Sequence, residues 1–351
     1  MRLGIRPRTR ALASIALAAS VAAGCGSASA GAVSGPGGTV LRLGYFPNLT
    51  HATAIVGVAD GLYAGALGPN VELQTRTFNA GTEAVEALFS GALDASYVGP
   101  NPAINAWAKS KGQAIRIVAG ATSGGAFLVT KPDITTPAQL RGRTLATPAL
   151  GNTQDVALRA WLKSQGLSTT VEGGGDVAIR PQSNADTLTA FAGGAIDGAW
   201  VPEPWATRMI LEGGGHVLVD ERDLWPGGRY VTTELIVSTA FLGARPDVVE
   251  ALLRGHVAAT KLVNEDPDRS IRTVSTEIGR LTGSTLSTDL LGTAWKNLSF
   301  TNDPIADSLR TSADEAAAFG LLDPVDLTGI YDLGPLNRAL AAAGQTPVPV
   351  P

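Results

Sequence analysis

A short apolar run, then a loop of Gly, Pro, Asn or Thr, then a helix-like stretch: this succession recurs along the chain and constrains its fold more than any other feature. It occurs at Phe46-Pro47-Asn48-Leu49-Thr50-His51, at Gly99-Pro100-Asn101-Pro102, at Gly151-Asn152-Thr153-Gln154-Asp155 and at Trp200-Val201-Pro202-Glu203-Pro204-Trp205. Strands that alternate with helices at this spacing form βαβ units around a mainly parallel sheet. A strand that runs through a Gly-rich turn into a helix also leaves the helix's first N–H groups free. Those groups and the helix dipole favour an anion. One such loop carries little weight. Four of them, spread over two halves of the chain, point to one anionic ligand gripped between two lobes.

The alternation can be followed along the sequence. Strands are expected at residues 41–45, 71–78, 95–98 and 115–121, with helices at 52–63, 82–89 and 104–109. The pattern then restarts, with strands at 143–147, 177–181, 198–201 and 217–219 and helices at 153–164, 186–191 and 205–212. Residues 127–129 lead out of the first lobe and 229–238 return to it. From Asp247 onward the chain is mostly helical. Lobe 1 is therefore assigned to residues 40–125 and 231–345, and lobe 2 to 126–230. An internal echo agrees: Phe89-Ser90-Gly91-Ala92-Leu93-Asp94-Ala95 is matched by Phe191-Ala192-Gly193-Gly194-Ala195-Ile196-Asp197-Gly198-Ala199.

The N-terminus has a different character. Arg2, Arg6, Arg8 and Arg10 precede an apolar, Ala-rich run over 11–23. A basic region, a short apolar region and small residues make a secretory leader, here residues 1–24. Ala22-Ala23-Gly24-Cys25 fits a bacterial lipobox, and Cys25 is the only cysteine of the chain. Lipidation at Cys25 is expected, with 25–39 as a flexible tether. Simple secretion, with a cut near Ala28-Ser29-Ala30, is the alternative. Removing the four leader arginines takes the formal charge from −4 to −8, which argues against nucleic acid as a partner. His51, His216 and His256 fall at no metal-ligand spacing, so neither a metal nor a cofactor is expected.

Several stretches carry a family resemblance. They are Tyr97-Val98-Gly99-Pro100-Asn101-Pro102-Ala103, Ala121-Thr122-Ser123-Gly124-Gly125-Ala126, Thr147-Pro148-Ala149-Leu150-Gly151-Asn152-Thr153-Gln154-Asp155 and Trp200-Val201-Pro202-Glu203-Pro204-Trp205-Ala206-Thr207. In these the chain resembles the substrate-binding proteins of ATP-driven importers for nitrate, sulfonates and taurine, most of all the aliphatic-sulfonate-binding lipoproteins. The resemblance runs from about residue 41 to residue 340. It implies an α/β, two-lobed periplasmic-binding fold of type II with two crossovers. It also implies a monomer that captures a small organic anion, hands it to an ABC permease and its ATPase, and does no chemistry on it. Receptors of this fold for nitrate, taurine, riboflavin or pyrimidine precursors are alternatives. A same-fold enzyme, such as a pyrimidine-precursor synthase, is a further one that the leader disfavours.

Each candidate ligand contact has a structural competitor. Asn152 and Thr153 either cap the helix they open or offer donors to an oxyanion, and Gln154 lies in the same first turn. Gly99 permits close backbone approach, and Asn101 is either a cap or a contact. Ser123 and Gly124 either serve the crossover or donate to the ligand. Asn48, Thr50 and His51 end the first strand, where His51 donates to an anion or caps a helix. Trp200 and Trp205 either pack the core or wall the pocket and cover an apolar tail. Glu203 either interacts with a helix N-terminus or pairs with an amine on the ligand.

Overall fold

A computed structural model describes residues 38–351; the leader, Cys25 and most of the tether lie outside the described residues. Thr39, expected to end the tether, is already paired with Val71. Lobe 1 opens with β1 (Thr39–Tyr45), α1 (Ala52–Ala59), α2 (Leu62–Leu67), β2 (Val71–Thr77), α3 (Gly81–Phe89), β3 (Ala95–Val98), α4 (Pro100–Lys109) and β4 (Ile115–Gly124). The chain then crosses into β5 (Ala126–Thr130), β6 (Thr144–Thr147), α5 (Thr153–Ser164), β7 (Ala178–Pro181), α6 (Asn184–Ala192), β8 (Gly198–Pro202), α7 (Trp205–Leu211) and β9 (His216–Asp220). It returns as β10 (Val231–Ser238) and continues through α8 (Thr239–Ala244), α9 (Pro246–Glu265), α10 (Pro267–Thr282), α11 (Thr288–Trp295), β11 (Leu298–Phe300), α12 (Ala306–Ala318) and α13 (Gly334–Ala342). The single helix expected over 52–63 is split, because Gly61 adopts a left-handed φ of 71° that no helix can continue through.

The two sheets repeat one plan. Their strand orders are β2-β1-β3-β10-β4, with β11 added at the edge, and β7-β6-β8-β5-β9. In each, the first three strands are mutually parallel and the fourth, β10 or β5, is antiparallel to its neighbours. The sheets are thus mixed. The expected parallel unit is present, and the strand arriving from the other lobe enters from the opposite end. The sequence echo has a structural counterpart. Asp94 accepts the backbone N–H of Arg42 in β1 at 2.8 Å, and Asp197 accepts that of Thr144 in β6 at 2.8 Å. Each aspartate ties the lead-in of the third strand to the first.

Alternation along the strands sends sequence neighbours to opposite faces of each sheet. Tyr97 and Leu235 pack with α1 and α9 on one face of lobe 1, whereas Val98 and Ile236 face Ile104 and Leu309 on the other. In lobe 2, Trp200 packs with Leu158 and Trp161, and Val201 with Phe191 and Met209. Each lobe therefore has its own core, and each fully buried Leu or Ile in it is worth about 1.5–3 kcal/mol. The lobes are joined at two adjacent crossovers. Gly124 and Gly125 have φ of 78° and 75°, which suits only glycine. Tyr230 N–H donates to Ser123 Oγ at 3.3 Å, and Thr232 Oγ1 donates to the Gly124 carbonyl at 2.7 Å. Gly125 alone separates β4 from β5, whereas the return from β9 to β10 runs through residues 221–230.

Candidate ligand site between the lobes

In an open α/β sheet the loops after parallel strands collect at one edge, where ligands bind. Here two such edges face each other. The loop after β1 brings Phe46, Asn48, Thr50 and His51, the loop after β2 brings Asn79, and the end of β3 brings Gly99. From lobe 2 come Pro148, Asn152, Thr153 and Gln154 after β6, Asn184 after β7, and Pro202 at the end of β8. Because β10 runs antiparallel to β3, its beginning reaches the same edge and adds Thr232 and Thr233. Together these residues enclose a cavity of about 30 Å³. None of them is Asp, Glu, Lys or Arg.

The start of α5 is built to present donors. Asn152 is its N-cap residue yet makes no side-chain capping bond. Asn152 Oδ1 and Thr153 Oγ1 are buried without a hydrogen-bond partner, a costly state for a protein group unless something else completes it. Among the described residues no acceptor takes the N–H groups of Thr153 and Gln154. Asp155 holds this turn in place. It accepts from Thr147 Oγ1 at 2.8 Å, from Gly151 N–H at 2.9 Å and from Arg159 Nε at 2.9 Å. Asp155 and Arg159 are both fully buried, and Arg159 also donates to the carbonyls of Thr170 and Val171. The Asp155–Arg159 pair is consumed internally, and the N–H groups at the start of α5 face the cavity.

Lobe 1 meets this helix end at very short range. Gly99 has an ordinary φ of −77°, so its identity is not conformational. A Cβ there would overlap Thr153 Oγ1 of the opposite lobe. His51 contributes a neutral donor. Its Nδ1 accepts the Phe46 N–H at 3.3 Å, which places the ring proton on Nε2. Burial pushes its pKa down to about 3. Cavity and helix end therefore form a small chamber of neutral donors, a combination that can replace the hydration of a monoanion without a buried cation.

The structure brings Asn48, Thr50, His51, Gly99, Asn152, Thr153 and Gln154 together and separates the other candidates. Trp200 is in the core of lobe 2, 6.1 Å from the Trp161 ring, with its indole N–H on Glu221 Oε2 at 2.7 Å; the pleat of β8 turns it away from the cavity. Glu203 has three partners: it accepts from the N–H and Oγ1 of Thr207 and, at 2.7 Å, from Asn297 Nδ2 across the lobes. It ties α7 to lobe 1 and lines neither the cavity nor the space around Trp205. Ser123 and Gly124 stitch the crossovers, and Asn101 donates to the Ser312 carbonyl at 3.2 Å; none of the three lines the cavity. Trp205 sits one step outward. Its indole N–H donates to Asn48 Oδ1 at 2.9 Å, and it lines an outer chamber of about 620 Å³ that shares Asn48, Asn79 and Asn184 with the inner cavity. Asn79, Asn184, Thr232 and Thr233 were not expected from the sequence, although Asn79 and Asn184 stand at the same strand–loop–helix position as the residues that were.

Fold and site define a class: a two-lobed body of the type II periplasmic-binding fold, with a polar cavity where the loops of both sheets meet. More specifically, the chain belongs to the NMT1-like family, whose model matches residues 34–276. It is 29% identical over 216 residues to the taurine-binding periplasmic protein of Escherichia coli (strain K12), a match covering 61% of this chain and 64% of that protein. The chain thus matches just under two thirds of that relative's length. It superposes on the alkanesulfonate-binding protein of Xanthomonas axonopodis pv. citri bound to MOPS with a TM-score of 0.70 at 20% identity, covering 85% of this chain and 100% of the other. The periplasmic nitrate-binding protein of Synechocystis PCC 6803 gives a TM-score of 0.72 at 16% identity, covering 88% and 91%. At these identities the two structures establish the fold.

Proposed function

We propose that the protein is an extracytoplasmic receptor of an ABC importer, anchored through a lipid on Cys25, which captures an aliphatic sulfonate and delivers it to the permease and its ATPase. One observation carries this: a cavity drawn from both lobes, free of charged side chains, into which the uncapped end of α5 points. A sulfonate is a permanent monoanion, and neutral N–H and O–H donors suffice to bind it. Closure of the lobes then needs rotation only at Gly125 and within residues 221–230. The relatives described above, receptors for taurine, alkanesulfonate and nitrate, are consistent with a small anion.

Within that group the lining favours a sulfonate without an amine. Taurine carries an ammonium, and neither the inner cavity nor the outer chamber offers it a carboxylate. A thermal-shift and calorimetric panel of ethanesulfonate, taurine, nitrate and riboflavin tests the assignment. Ethanesulfonate at about 100 times its Kd should add about 2.7 kcal/mol of stability. A shift with nitrate or riboflavin and none with any sulfonate would refute it. For the anchor, Cys25→Ser should release the protein from the membrane fraction; an unchanged fraction and mass would remove the lipid from the proposal.

A further inference from the structure

Residues 295–300 run directly over the first crossover. Asn297 follows the end of α11, where its N–H donates to the Ala294 carbonyl at 3.1 Å. The chain then enters β11, whose three residues pair antiparallel with the end of β4: Leu298 opposite Gly124, Ser299 opposite Ser123 and Phe300 opposite Thr122. Both flanks of this short strand belong to lobe 1. The Trp295 and Phe300 ring centroids are 4.7 Å apart, and the Phe300 carbonyl accepts from Asn264 Nδ2 of α9 at 3.1 Å. The middle rests on the crossover itself. A Cβ at Gly124 would lie 2.9 Å from the Asn297 carbonyl oxygen, and one at Gly125 would overlap the Leu298 side chain. The two glycines are thus required twice, by their positive φ and by the chain that lies on them.

From this position Asn297 reaches into the other lobe. Its Nδ2 donates to Glu203 Oε1 at 2.7 Å. Glu203 is buried and belongs to lobe 2. Its N–H donates to the Gly125 carbonyl at 2.8 Å, the preceding Pro202 pairs with Ala126 in the lobe 2 sheet, and its carboxylate holds Thr207 in α7. Rotation at Gly125 therefore carries Glu203 away with lobe 2, whereas Asn297 stays with β4. Resting on the receptor assignment, we infer that residues 295–300 are a strap across the crossover, and that Asn297 and Leu298 are positioning residues that set how readily the cleft closes. The Asn297–Glu203 bond clasps the lobes in the arrangement in which Gly99 meets Thr153, and α11 packs on α7 across the lobes as well. Neither Asn297, Leu298 nor Glu203 lines the cavity or the outer chamber. The clasp favours the closed form whatever the ligand, so loosening it lowers every affinity by one common factor, while loss of a ligand contact discriminates between ligands.

Calorimetric titration of the mature protein and of Asn297→Ala with methanesulfonate, ethanesulfonate and taurine tests this, beside small-angle scattering of both proteins without ligand and urea unfolding to establish that the variant is folded. Asn297→Ala should weaken all three ligands by one factor of about tenfold to a hundredfold, the worth of a hydrogen bond to a charged group. The ligand-free variant should have the larger radius of gyration. In a Glu203→Gln background the same substitution should cost several times less, because the acceptor is already neutral; an equal cost in both backgrounds would show that the two side chains do not act through their bond. Leu298→Ala, which uncovers Gly125 and keeps the clasp, should also weaken the three ligands by a common factor. Unchanged affinities in folded Asn297→Ala, or a loss confined to one ligand, would overturn the strap. If no sulfonate binds the unmutated protein, the receptor assignment fails separately and scattering decides: a radius unchanged by Asn297→Ala overturns the strap, and a larger one upholds it.

Discussion

The approach of Gly99 to Thr153 makes the two lobes' fit testable by a double-mutant cycle. Gly99→Ala adds one methyl group whose position overlaps Thr153 Oγ1. Forcing a methyl into a filled contact costs about 1–3 kcal/mol, and here that cost falls on closing the cleft rather than on either core. Thr153→Ala removes the overlapping hydroxyl and with it a donor to the ligand, for a loss of about 1.5–3 kcal/mol, the worth of a hydrogen bond to a charged group. With the hydroxyl gone, the new Cβ on Gly99 would have Thr153 Cβ at 3.4 Å and the Thr232 carbonyl at 3.5 Å as its nearest neighbours, both ordinary contacts. The double mutant should therefore bind about as weakly as Thr153→Ala alone, within about 0.5 kcal/mol, and the coupling energy should equal the whole cost of Gly99→Ala. Calorimetry with ethanesulfonate reads the four affinities. Urea unfolding of the unliganded proteins should show changes of less than about 1 kcal/mol, because Thr153 Oγ1 makes no capping bond and the Gly99 backbone suits any residue. Additive affinity losses would show that the lobes do not meet here in the bound state.

Four further outcomes follow from the geometry. With the His51 pKa held near 3 by burial, affinity should be flat from about pH 5 to pH 8. The unfolded chain alone takes up that proton below the ordinary value of 6.5, so stability should be lost as pH falls from 6.5 toward 3, a slope that melts of His51→Gln should reduce. Glu221 runs the other way: burial raises its pKa to about 8, its stabilising contribution is present below 4.5 and lost as pH rises toward 8, and Glu221→Gln should therefore gain stability over the native protein as pH increases across that window. Asp155→Asn leaves Arg159 charged and buried and should cost about 3–5 kcal/mol in urea unfolding; a loss under about 1 kcal/mol would mean that the pair does not hold the turn. Glu203→Gln should change the affinities for taurine and ethanesulfonate by the same factor, because its carboxylate is occupied by Thr207 and Asn297, and a selective loss of taurine would restore the amine role.

The strand–loop–helix succession disclosed the two-lobed plan and the cavity-lining residues that lie directly on it, Asn48, Thr50 and His51 after β1 and Asn152, Thr153 and Gln154 at α5. Their placement depends on local chain direction, which a short stretch of sequence reveals. Trp200 and Trp205 stand in one motif, and nothing local distinguishes them; the pleat of β8 and the packing partner Trp161 decide that one is core and the other cleft. Glu203 looked available because its partner Asn297 is 94 residues away. Thr232 and Thr233 belong to a strand, and they reach the site only because β10 runs against β3. Ile278, Leu281 and Leu286, which line the outer chamber, come from α10 and the turn after it, a segment with no motif that lobe 1's own core holds in place.

The order of strands has a consequence for how the chain is made. Lobe 2 is one uninterrupted stretch, whereas β10 lies between β3 and β4 in the middle of lobe 1's sheet. Chains are synthesised from the N-terminus and their domains fold as units. Lobe 2 has all of its strands once residue 220 exists, yet at that moment lobe 1 still has a vacant slot at its centre. Until residues 231–238 follow, β3 and β4 expose unpaired backbone edges of the kind that invite pairing with other chains. The inserted lobe thus matures before its host, and a nascent chain halted within the insert would carry an open sheet at its N-terminal end.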